Sequence, residues 1–317
     1  MATFLTPNRH GYSVRFSPFD GNQIAVATSQ YFGLAGGGTL FLLENVNNQL
    51  VEKQKFQWTD GLFDVVWSEF DPNIIVTTSG DGGLQIWNTG VATPIQTLNE
   101  HKNEVYSVDW TRTRQQQLLL SASWDHTIKV WDPTHKSSLN TFLGHSQLVY
   151  NAMWSPHIPH SFASVSGDGN LKLWSSLNNN SSITFRAHDA EVLSCDWCKY
   201  DQNIISTCGS DGLIRGWDIR NYTHPIFQLR GCDYAVRRIQ FSPHAMSLLA
   251  SVSYDYTTRI WDYKKSPEAV EVIKHHSEFV YGLDWNNLKA GELADCGWDS
   301  LLHVFTPLSV KNVLNII

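Results

Sequence analysis

Apolar and polar residues alternate along this chain in short runs, and the pattern is clearest in residues 101–132. The three runs in this segment are Val105–Trp110, 118–123 and 127–131, with polar clusters between them. Alternation with a period of two is typical of half-buried β-strands, and the polar clusters between such runs are typical of turns. The segment opens with His and closes with Trp-Asp. We therefore expect three short strands joined by turns.

The same pattern recurs along nearly the whole chain. An apolar residue marks the third strand of each copy, 43 or 44 residues after the last, at Leu43, Trp87, Trp131, Trp174, Trp217, Trp261 and Phe305. This period, with four short strands per unit, matches a WD-repeat β-propeller blade. The predicted fold is all-β: a seven-bladed WD-repeat β-propeller whose blades end near residues 44, 88, 132, 175, 218, 262 and 305. We expect a single domain over 1–317, with the N-terminal strand joining the last blade to close the ring.

Histidine, aspartate and tryptophan recur in step with the strands. In propellers of this family a His, a strand Ser or Thr, a turn Asp and the Trp form one buried hydrogen-bonded chain, which stiffens the blade. The residues assigned to this structural network are His101, Asp125, Trp131, His145, Asp168, Trp174, His188, Asp211, Trp217, His276 and Asp299. Three blades depart from the pattern: the first has Leu43 and an insertion at 30–38, the second has Trp58 for His, and the sixth has Cys232 for His.

Composition and charge exclude several functional classes. The formal net charge is −7 and no basic run occurs, so nucleic acid is not an expected partner and a cationic ligand fits better. No apolar run of about 18 residues and no signal-peptide segment occur, so we expect neither secretion nor membrane insertion. Cys195 and Cys198 stand three apart on a strand and face opposite sides, so they cannot share a metal. A reduced, cytosolic protein is the simplest expectation.

Catalytic and metal-binding motifs are missing from the sequence. There is no nucleophile elbow, phosphate-binding loop or HExxH motif. The nearest metal pair is His157 and His160, which a proline separates in a predicted turn without a nearby carboxylate. We therefore predict a scaffold, not an enzyme, without cofactor or metal.

One face of the predicted ring is rich in aromatic and acidic residues. Low-complexity stretches at 115–117 and 178–182 are expected in connections on the opposite, bottom face, which favours the top face as the binding surface. An apolar patch with an acidic rim is typical of a peptide-binding site for a segment with one apolar and one basic face. The predicted binding residues are Tyr12, Asp60, Phe63, Glu104, Tyr106, Trp124, Tyr150, Glu191, Leu193, Tyr254, Phe279, Tyr281 and Trp298.

Longer strings carry a more specific resemblance. They are GYSVRFSP (11–18), DGLFDVVWSE (60–69), EVYSVDW (104–110), WSPHIP (154–159), SCDWCKY (194–200), RGWDIRN (215–221), AVRRIQFSP (235–243) and HHSEF (275–279). Together they closely resemble the family of peroxisomal import receptors for the N-terminal, type 2 targeting signal. The resemblance extends from about residue 9 to residue 305.

The resemblance implies a cytosolic receptor that cycles to the peroxisome. Its cargo would be matrix enzymes such as 3-ketoacyl-CoA thiolase, whose signal, Arg/Lys-Leu, a short spacer and His/Gln-Leu, forms an amphipathic basic helix. A second peroxin would act as co-receptor and engage the docking complex at the peroxisomal membrane. On this surface we expect Glu104 and Glu191 to pair with the cations of the signal. Its leucines would be buried by Tyr106, Trp124, Tyr150, Phe279 and Trp298.

Two other functions remain open at this point. A substrate adaptor of a cullin–RING ubiquitin ligase is suggested by the WDxR sequence that ends at Arg220, although Arg220 could simply pair locally. A reader of chromatin peptides would share the acidic and aromatic top face. Co-purification with a ligase adaptor would indicate the first alternative, and a nuclear location the second.

Overall fold

The computed structural model describes residues 1–111 and 117–316. Within these residues the chain forms 28 strands in seven four-stranded antiparallel sheets, together with one α-helix and one short 3₁₀ helix (Tyr31–Gly33). The strands of the first half are β1 (Ala2–Leu5), β2 (His10–Phe16), β3 (Gln23–Ser29), β4 (Gly38–Val46), β5 (Gln49–Trp58), β6 (Leu62–Trp67), β7 (Ile74–Ser79), β8 (Gly83–Asn88), β9 (Gln96–Asn99), β10 (Val105–Trp110), β11 (Leu119–Ser123), β12 (Ile128–Trp131), β13 (Ser138–Phe142) and β14 (Val149–Trp154).

The second half continues the same up-and-down order. Its elements are β15 (Ser161–Ser166), β16 (Asn170–Ser175), β17 (Asn178–Arg186), β18 (Val192–Trp197), β19 (Ile204–Gly209), β20 (Ile214–Asp218), β21 (Phe227–Leu229), β22 (Val236–Phe241), β23 (Leu248–Ser253), β24 (Thr258–Asp262), β25 (Glu271–Ile273), β26 (Val280–Trp285), β27 (Leu293–Gly297), β28 (Leu301–Phe305) and α1 (Leu308–Leu314). The predicted all-β, seven-bladed propeller is confirmed.

The N-terminal strand closes the ring. β1 pairs antiparallel with β28, and Ala2 lies opposite Val304, so the last sheet has the order β1-β28-β27-β26. Phe4 packs edge-on against Phe41 of the first blade, with 5.8 Å between the ring centroids. The predicted closure is therefore confirmed, and it leaves the outer edge of β28 paired instead of open.

Each blade packs its apolar faces against the next blade. One core cluster joins Leu120 and Val130 of the third blade to Trp154, Phe162 and Trp174 of the fourth. Carboxylates near the ends of the innermost strands add polar links between blades: Asp109 accepts from the backbone N–H of Trp154 at 2.7 Å, and Asp284 accepts from that of Phe16 at 2.8 Å. Apolar packing and these links together fix the angle between neighbouring blades.

The third blade shows how the buried polar network is built. Trp131 Nε1 donates to Ser121 Oγ at 2.8 Å, Ser121 Oγ lies 2.7 Å from His101 Nε2, and His101 Nδ1 lies 2.8 Å from Asp125 Oδ2. The fourth and fifth blades repeat the chain through His145, Ser164, Asp168 and Trp174, and through His188, Thr207, Asp211 and Trp217. In the seventh blade His276 Nδ1 lies 2.9 Å from Asp299 Oδ2.

Two blades without the repeat histidine have another donor to the turn aspartate. In the second blade Trp58 Nε1 donates to Asp81 at 2.8 Å. In the sixth blade Arg259 Nη2 donates to Asp255 at 2.8 Å. The turn aspartate thus receives a side-chain hydrogen bond in both blades, although the sequence pattern is broken there.

Three sequence expectations remain to be compared with the structure: the positions of the two low-complexity stretches and the orientation of Cys195 and Cys198. Asn178–Arg186 is a strand, so the 178–182 stretch is not the connection that the sequence suggested. It pairs with β16 through two register shifts, which accommodate the polar run. Residues 115 and 116 of the other low-complexity stretch lie outside the described residues. Cys195 and Cys198 belong to different core clusters, as expected for opposite faces of a strand.

Candidate peptide-binding face

Antiparallel strands place alternate connections at opposite ends of each blade. The connections that precede the innermost strands and those between second and third strands therefore share one end of the ring, which we call the top face. It carries the residues around 60, 104, 124, 191, 254, 279 and 298. The innermost strands, one from each blade, are neighbours around the axis and direct their first residues toward the top opening.

Aromatic rings form a continuous arc around this opening. From the sixth blade the contacts run from Tyr254 to Tyr281 and on to Trp298 and Tyr12, with ring centroids 5.3, 5.0 and 5.9 Å apart. The arc continues into the second, third and fourth blades through Tyr12–Phe63, Phe63–Tyr106, Tyr106–Trp124 and Trp124–Tyr150 at 5.0, 4.8, 4.6 and 6.1 Å. Phe279 stacks on Tyr254 at 4.6 Å. Nine of the thirteen residues predicted from sequence to bind peptide thus belong to this arc. A tenth, Glu191, contacts the arc through the Tyr150 hydroxyl.

Burial divides these residues into a floor and a contact surface. Tyr12, Phe63, Leu193 and Tyr281 are between 2 and 6% exposed, so they support the surface from beneath instead of facing a partner. Tyr106, Trp124, Tyr150, Tyr254, Phe279 and Trp298 are half-buried and present ring edges or faces to solvent. Burial raises the pKa of Tyr12, Tyr106 and Tyr281, so their hydroxyls stay neutral at physiological pH.

A buried guanidinium lies at the centre of the arc. The Cζ atom of Arg237 is 5.1 Å from the Tyr281 ring centroid and 5.7 Å from that of Tyr106, within the range of cation–π attraction. Its Nη1 donates to the Leu193 carbonyl at 3.4 Å. Because Arg237 is only 3% exposed, it holds the floor rings in place and contributes little to the outer surface.

Acidic side chains border the arc on the third and fifth blades. Among the described residues neither Glu104 nor Glu191 forms a salt bridge. Glu191 is exposed and accepts a long hydrogen bond, 3.4 Å, from the Tyr150 hydroxyl. Asp60 accepts from the Gly61 backbone N–H at 2.6 Å, so part of its hydrogen-bonding capacity is used locally. The two glutamates therefore offer negative charge next to half-buried aromatic rings.

The insertion in the first blade adds a wall to the arc that the sequence did not predict. Phe32 stacks on His10 with 3.9 Å between centroids and lies 5.1 Å from Trp298, while its carbonyl accepts from the Tyr12 hydroxyl at 2.7 Å. Tyr31 and Leu34 are 66 and 88% exposed. The sequence signal for this wall is the presence of three large apolar residues, Tyr31, Phe32 and Leu34, in a connection that belongs to the top face.

The chain resembles known proteins in both sequence and fold. The model of the family described as "WD domain, G-beta repeat" matches residues 92–132, 136–175, 179–218 and 223–262. The Mus musculus "Peroxisomal targeting signal 2 receptor" is 57% identical over 307 residues, 96% of each chain. The Arabidopsis thaliana "Peroxisome biogenesis protein 7" is 45% identical over 96% of this chain and 97% of its own. The Saccharomyces cerevisiae "Peroxisomal targeting signal 2 receptor" is 34% identical over 94% and 97%.

The chain belongs to the peroxisomal targeting signal 2 receptor family. Its fold is also shared with the WD40 β-propeller domain of Doa1, with a TM-score of 0.81 over 97% of each chain at 22% identity. That second likeness concerns the fold alone.

The residue that suggested a ubiquitin-ligase adaptor has a local partner. Arg220 Nε and Nη2 donate to the two carboxylate oxygens of Asp218 at 2.9 and 2.6 Å. The relatives in the receptor family support the function of an import receptor. Neither these relatives nor the pairing of Arg220 with Asp218 supports the function of a ubiquitin-ligase adaptor. No helix within residues 1–111 and 117–316 is long and apolar enough to cross a membrane.

Proposed function

We propose that this chain is an import receptor that binds the type 2 peroxisomal targeting signal through its top face. The aromatic arc carries this proposal, together with two glutamates that form no salt bridge within the part of the chain that the structure describes, because an amphipathic basic helix has the complementary surface. The leucines of the signal pack on Tyr106, Trp124, Tyr150, Phe279 and Trp298. Its cations pair with Glu104 and Glu191. The buried residues Tyr12, Phe63, Leu193 and Tyr281 support this surface, and Asp60 and Tyr254 border it.

The wider cellular role follows from the same proposal. The cargo comprises peroxisomal matrix proteins that carry the signal, with thiolase as the type case. The receptor works as a one-domain scaffold without catalysis or cofactor. It collects cargo in the cytoplasm, and with a peroxin co-receptor it reaches the docking complex and cycles to the peroxisome. The names of its relatives support the peroxisomal assignment of this role.

A charge-reversal series tests the binding face. Fluorescence anisotropy with a labelled signal peptide would measure the dissociation constant of the wild type, Glu104→Arg and Glu191→Arg. Partly desolvated charge pairs contribute on the order of 1–3 kcal/mol, so each variant should bind at least about fivefold more weakly. Glu268→Arg is the matched control, because this exposed residue lies in the β24–β25 connection at the opposite end of the blades.

Stability and specificity must be separated in this series. Each variant should keep the thermal unfolding midpoint of the wild type, because Glu104 and Glu191 support no salt bridge among the described residues. A peptide whose arginine is replaced by glutamate should regain part of its affinity for Glu104→Arg. Wild-type affinity in Glu104→Arg and Glu191→Arg alike would refute the assignment of the acidic residues.

A further inference from the structure

The seventh blade keeps the His276–Asp299 pair of the usual network but adds further histidines beside it. Position 295 carries Asp where five of the other blades carry a hydroxyl residue, and position 303 carries His where four of them carry Lys or Arg. The hydroxyl residues are Thr77, Ser121, Ser164, Thr207 and Ser251, and the basic ones are Lys129, Lys172, Arg215 and Arg259. A further histidine, His275, precedes the repeat histidine His276. These changes gather potential metal ligands at one place.

The ligand atoms of this cluster lie close together. One ring nitrogen from each of His275, His276 and His303 lies within 4.8 Å of the other two. Asp295 sits among them: its Oδ2 is 2.8 Å from His275 Nε2 and its Oδ1 is 3.1 Å from His276 Nε2. The Asp295 and His276 side chains are fully buried, and the His275 side chain is 12% exposed. A ligand could therefore enter past His275.

One buried nitrogen in this cluster lacks a hydrogen-bond partner. Among the described residues His303 Nε2 has none, whereas its Nδ1 lies 3.0 Å from Thr3 Oγ1 of the ring-closing strand. Buried polar atoms are almost always satisfied, so an unsatisfied imidazole nitrogen beside a carboxylate and two further imidazoles calls for a partner. A metal ion is the partner that this donor set fits.

Outer contacts orient the ligands as they do in known metal sites. His276 Nδ1 lies 2.9 Å from Asp299, and the Thr258 hydroxyl donates to Asp295 Oδ2 at 2.5 Å. With Thr3 on His303, two of the three imidazoles have their Nδ1 engaged, which leaves Nε2 for coordination. Such second contacts fix the ring orientation and tautomer of metal-binding histidines.

We propose that His275, His276, His303 and Asp295 bind a zinc ion. Three imidazole nitrogens and one carboxylate oxygen make a closed tetrahedral set, which is typical of a structural site. Zinc–ligand lengths of about 2.0–2.2 Å place tetrahedral donors about 3.3–3.6 Å apart. The imidazole nitrogens must therefore approach one another by up to about 1 Å, while the hydrogen-bonded contacts of Asp295 with His275 and His276 lengthen. The ion replaces the protons that His275 and His276 share with Asp295. Zinc then joins the loop before β26 to β27 and β28.

Metal analysis of the purified full chain tests the site. After incubation with zinc and gel filtration, inductively coupled plasma mass spectrometry should find one zinc ion per wild-type chain. His303→Lys should hold at least tenfold less, and it should still fold because Lys129 and Lys172 occupy the same position in other blades. His135→Gln is the control for surface binding, since the His135 side chain is 63% exposed and lies outside the cluster.

Two further measurements separate this site from non-specific binding. Zinc at a hundredfold excess over its dissociation constant should raise the thermal unfolding midpoint of the wild type by about 5 °C, and leave that of His303→Lys unchanged. Cobalt should give the visible absorption of a tetrahedral ion in the wild type only. Equal zinc retention by wild type and His303→Lys, or no zinc above the buffer blank, would overturn the proposal.

Discussion

The hydrogen-bonded chains inside the blades depend on where individual protons lie. In the third blade Trp131 donates its only N–H to Ser121, so the hydroxyl proton of Ser121 is free to be donated to His101 Nε2. His101 then carries its proton on Nδ1 and donates it to Asp125. Trp131 only donates, Asp125 only accepts, and Ser121 and His101 each accept one hydrogen bond and donate the next. A neutral imidazole is therefore the form that satisfies the chain.

The equivalent chain in the fourth blade makes stability depend on pH. Burial lowers the pKa of His145, which keeps the imidazole neutral. Burial alone would raise the pKa of Asp168, but hydrogen bonds from His145, Ser146 and Asn170 outweigh it and lower that pKa to about 2. Both folded-state pKa values lie below the unfolded values. This stabilisation is present above the unfolded pKa and is lost as the pH falls.

Asp168→Asn should show this dependence directly. At pH 7 the free energy of unfolding should fall by about 2 kcal/mol, which corresponds to the lowered pKa of Asp168. The difference from wild type should shrink as the pH falls from about 4 to about 2, because the wild-type carboxylate is then protonated as well. Urea unfolding across this range measures it.

Asp189→Asn provides the comparison on an exposed carboxylate of the same region, since the Asp189 side chain is 96% exposed. It should change stability by less than about 0.5 kcal/mol at every pH. A deficit in Asp168→Asn that stays constant down to pH 3 would contradict the proposed role of ionised Asp168.

Sequence reasoning at this scale finds residues that repeat, and it misses those that substitute for them. His101, Asp125 and Trp131 were identified because spacing and residue type recur together. Trp58 and Arg259 were not assigned to the network, although both donate to the turn aspartate. The physical requirement is a buried donor at a given place, and several residue types meet it.

At the scale of single elements, the 30–38 insertion is held in an unusual backbone conformation. Tyr31 and Phe32 have φ of 43° and 57°, and Gly33 has φ of 72°. A Cβ on Gly33 would lie 2.6 Å from the Tyr12 hydroxyl and 2.8 Å from the Phe63 ring. Left-handed backbone at non-glycine residues costs energy, so packing against the aromatic floor must hold this loop. Apolar periodicity carries no information about such a conformation, which is why the sequence did not predict this wall.

Gly33→Ala should therefore disturb both stability and the binding face. The added methyl group faces the left-handed penalty and the close contact with Tyr12, so the free energy of unfolding should fall by about 1–2 kcal/mol. Affinity for the signal peptide should fall as well, because the loop must move away from Trp298. Urea unfolding and peptide anisotropy measure the two effects.

Gly90→Ala is the matched glycine control, because Gly90 is not among the glycines with positive φ and a Cβ there would meet only the flexible Asn88 side chain. It should leave peptide affinity unchanged. If Gly33→Ala behaves like Gly90→Ala in both measurements, the loop does not depend on the packing described.

At the scale of the whole molecule, an ion pair crosses the central channel. Arg238 of the sixth blade donates to Asp64 of the second blade and to Ser13 of the first, at 3.1 Å in each case. Asp64 also accepts from the Val108 backbone N–H of the third blade at 3.0 Å. Burial would raise the pKa of Asp64, but Arg238 holds it below the usual range. Four blades thus meet at one carboxylate.

Asp64→Ala should destabilise the entire ring. Removing one partner leaves Arg238 buried without its counter-ion, which costs about 3–5 kcal/mol. The double variant Asp64→Leu/Arg238→Met should recover most of this loss, because it removes both charges and keeps similar volume. Thermal unfolding of the wild type, Asp64→Ala and the double variant tests this expectation. A double variant as unstable as Asp64→Ala would show that the ring requires the carboxylate itself and not its pairing with Arg238.

The pairing of β1 with β28 also has a consequence in time. The ribosome adds about 5–20 residues per second, so some 15–60 s separate the synthesis of these two strands. Throughout that interval Ala2–Leu5 lacks its partner β28, and the ring of completed blades stays open where the last blade will pack. Contacts this distant in sequence form slowly, and unpaired edges invite aggregation. The growing chain is therefore most vulnerable to aggregation before its last blade emerges, and β1 is among the last strands to find its partner, although it is made long before β28.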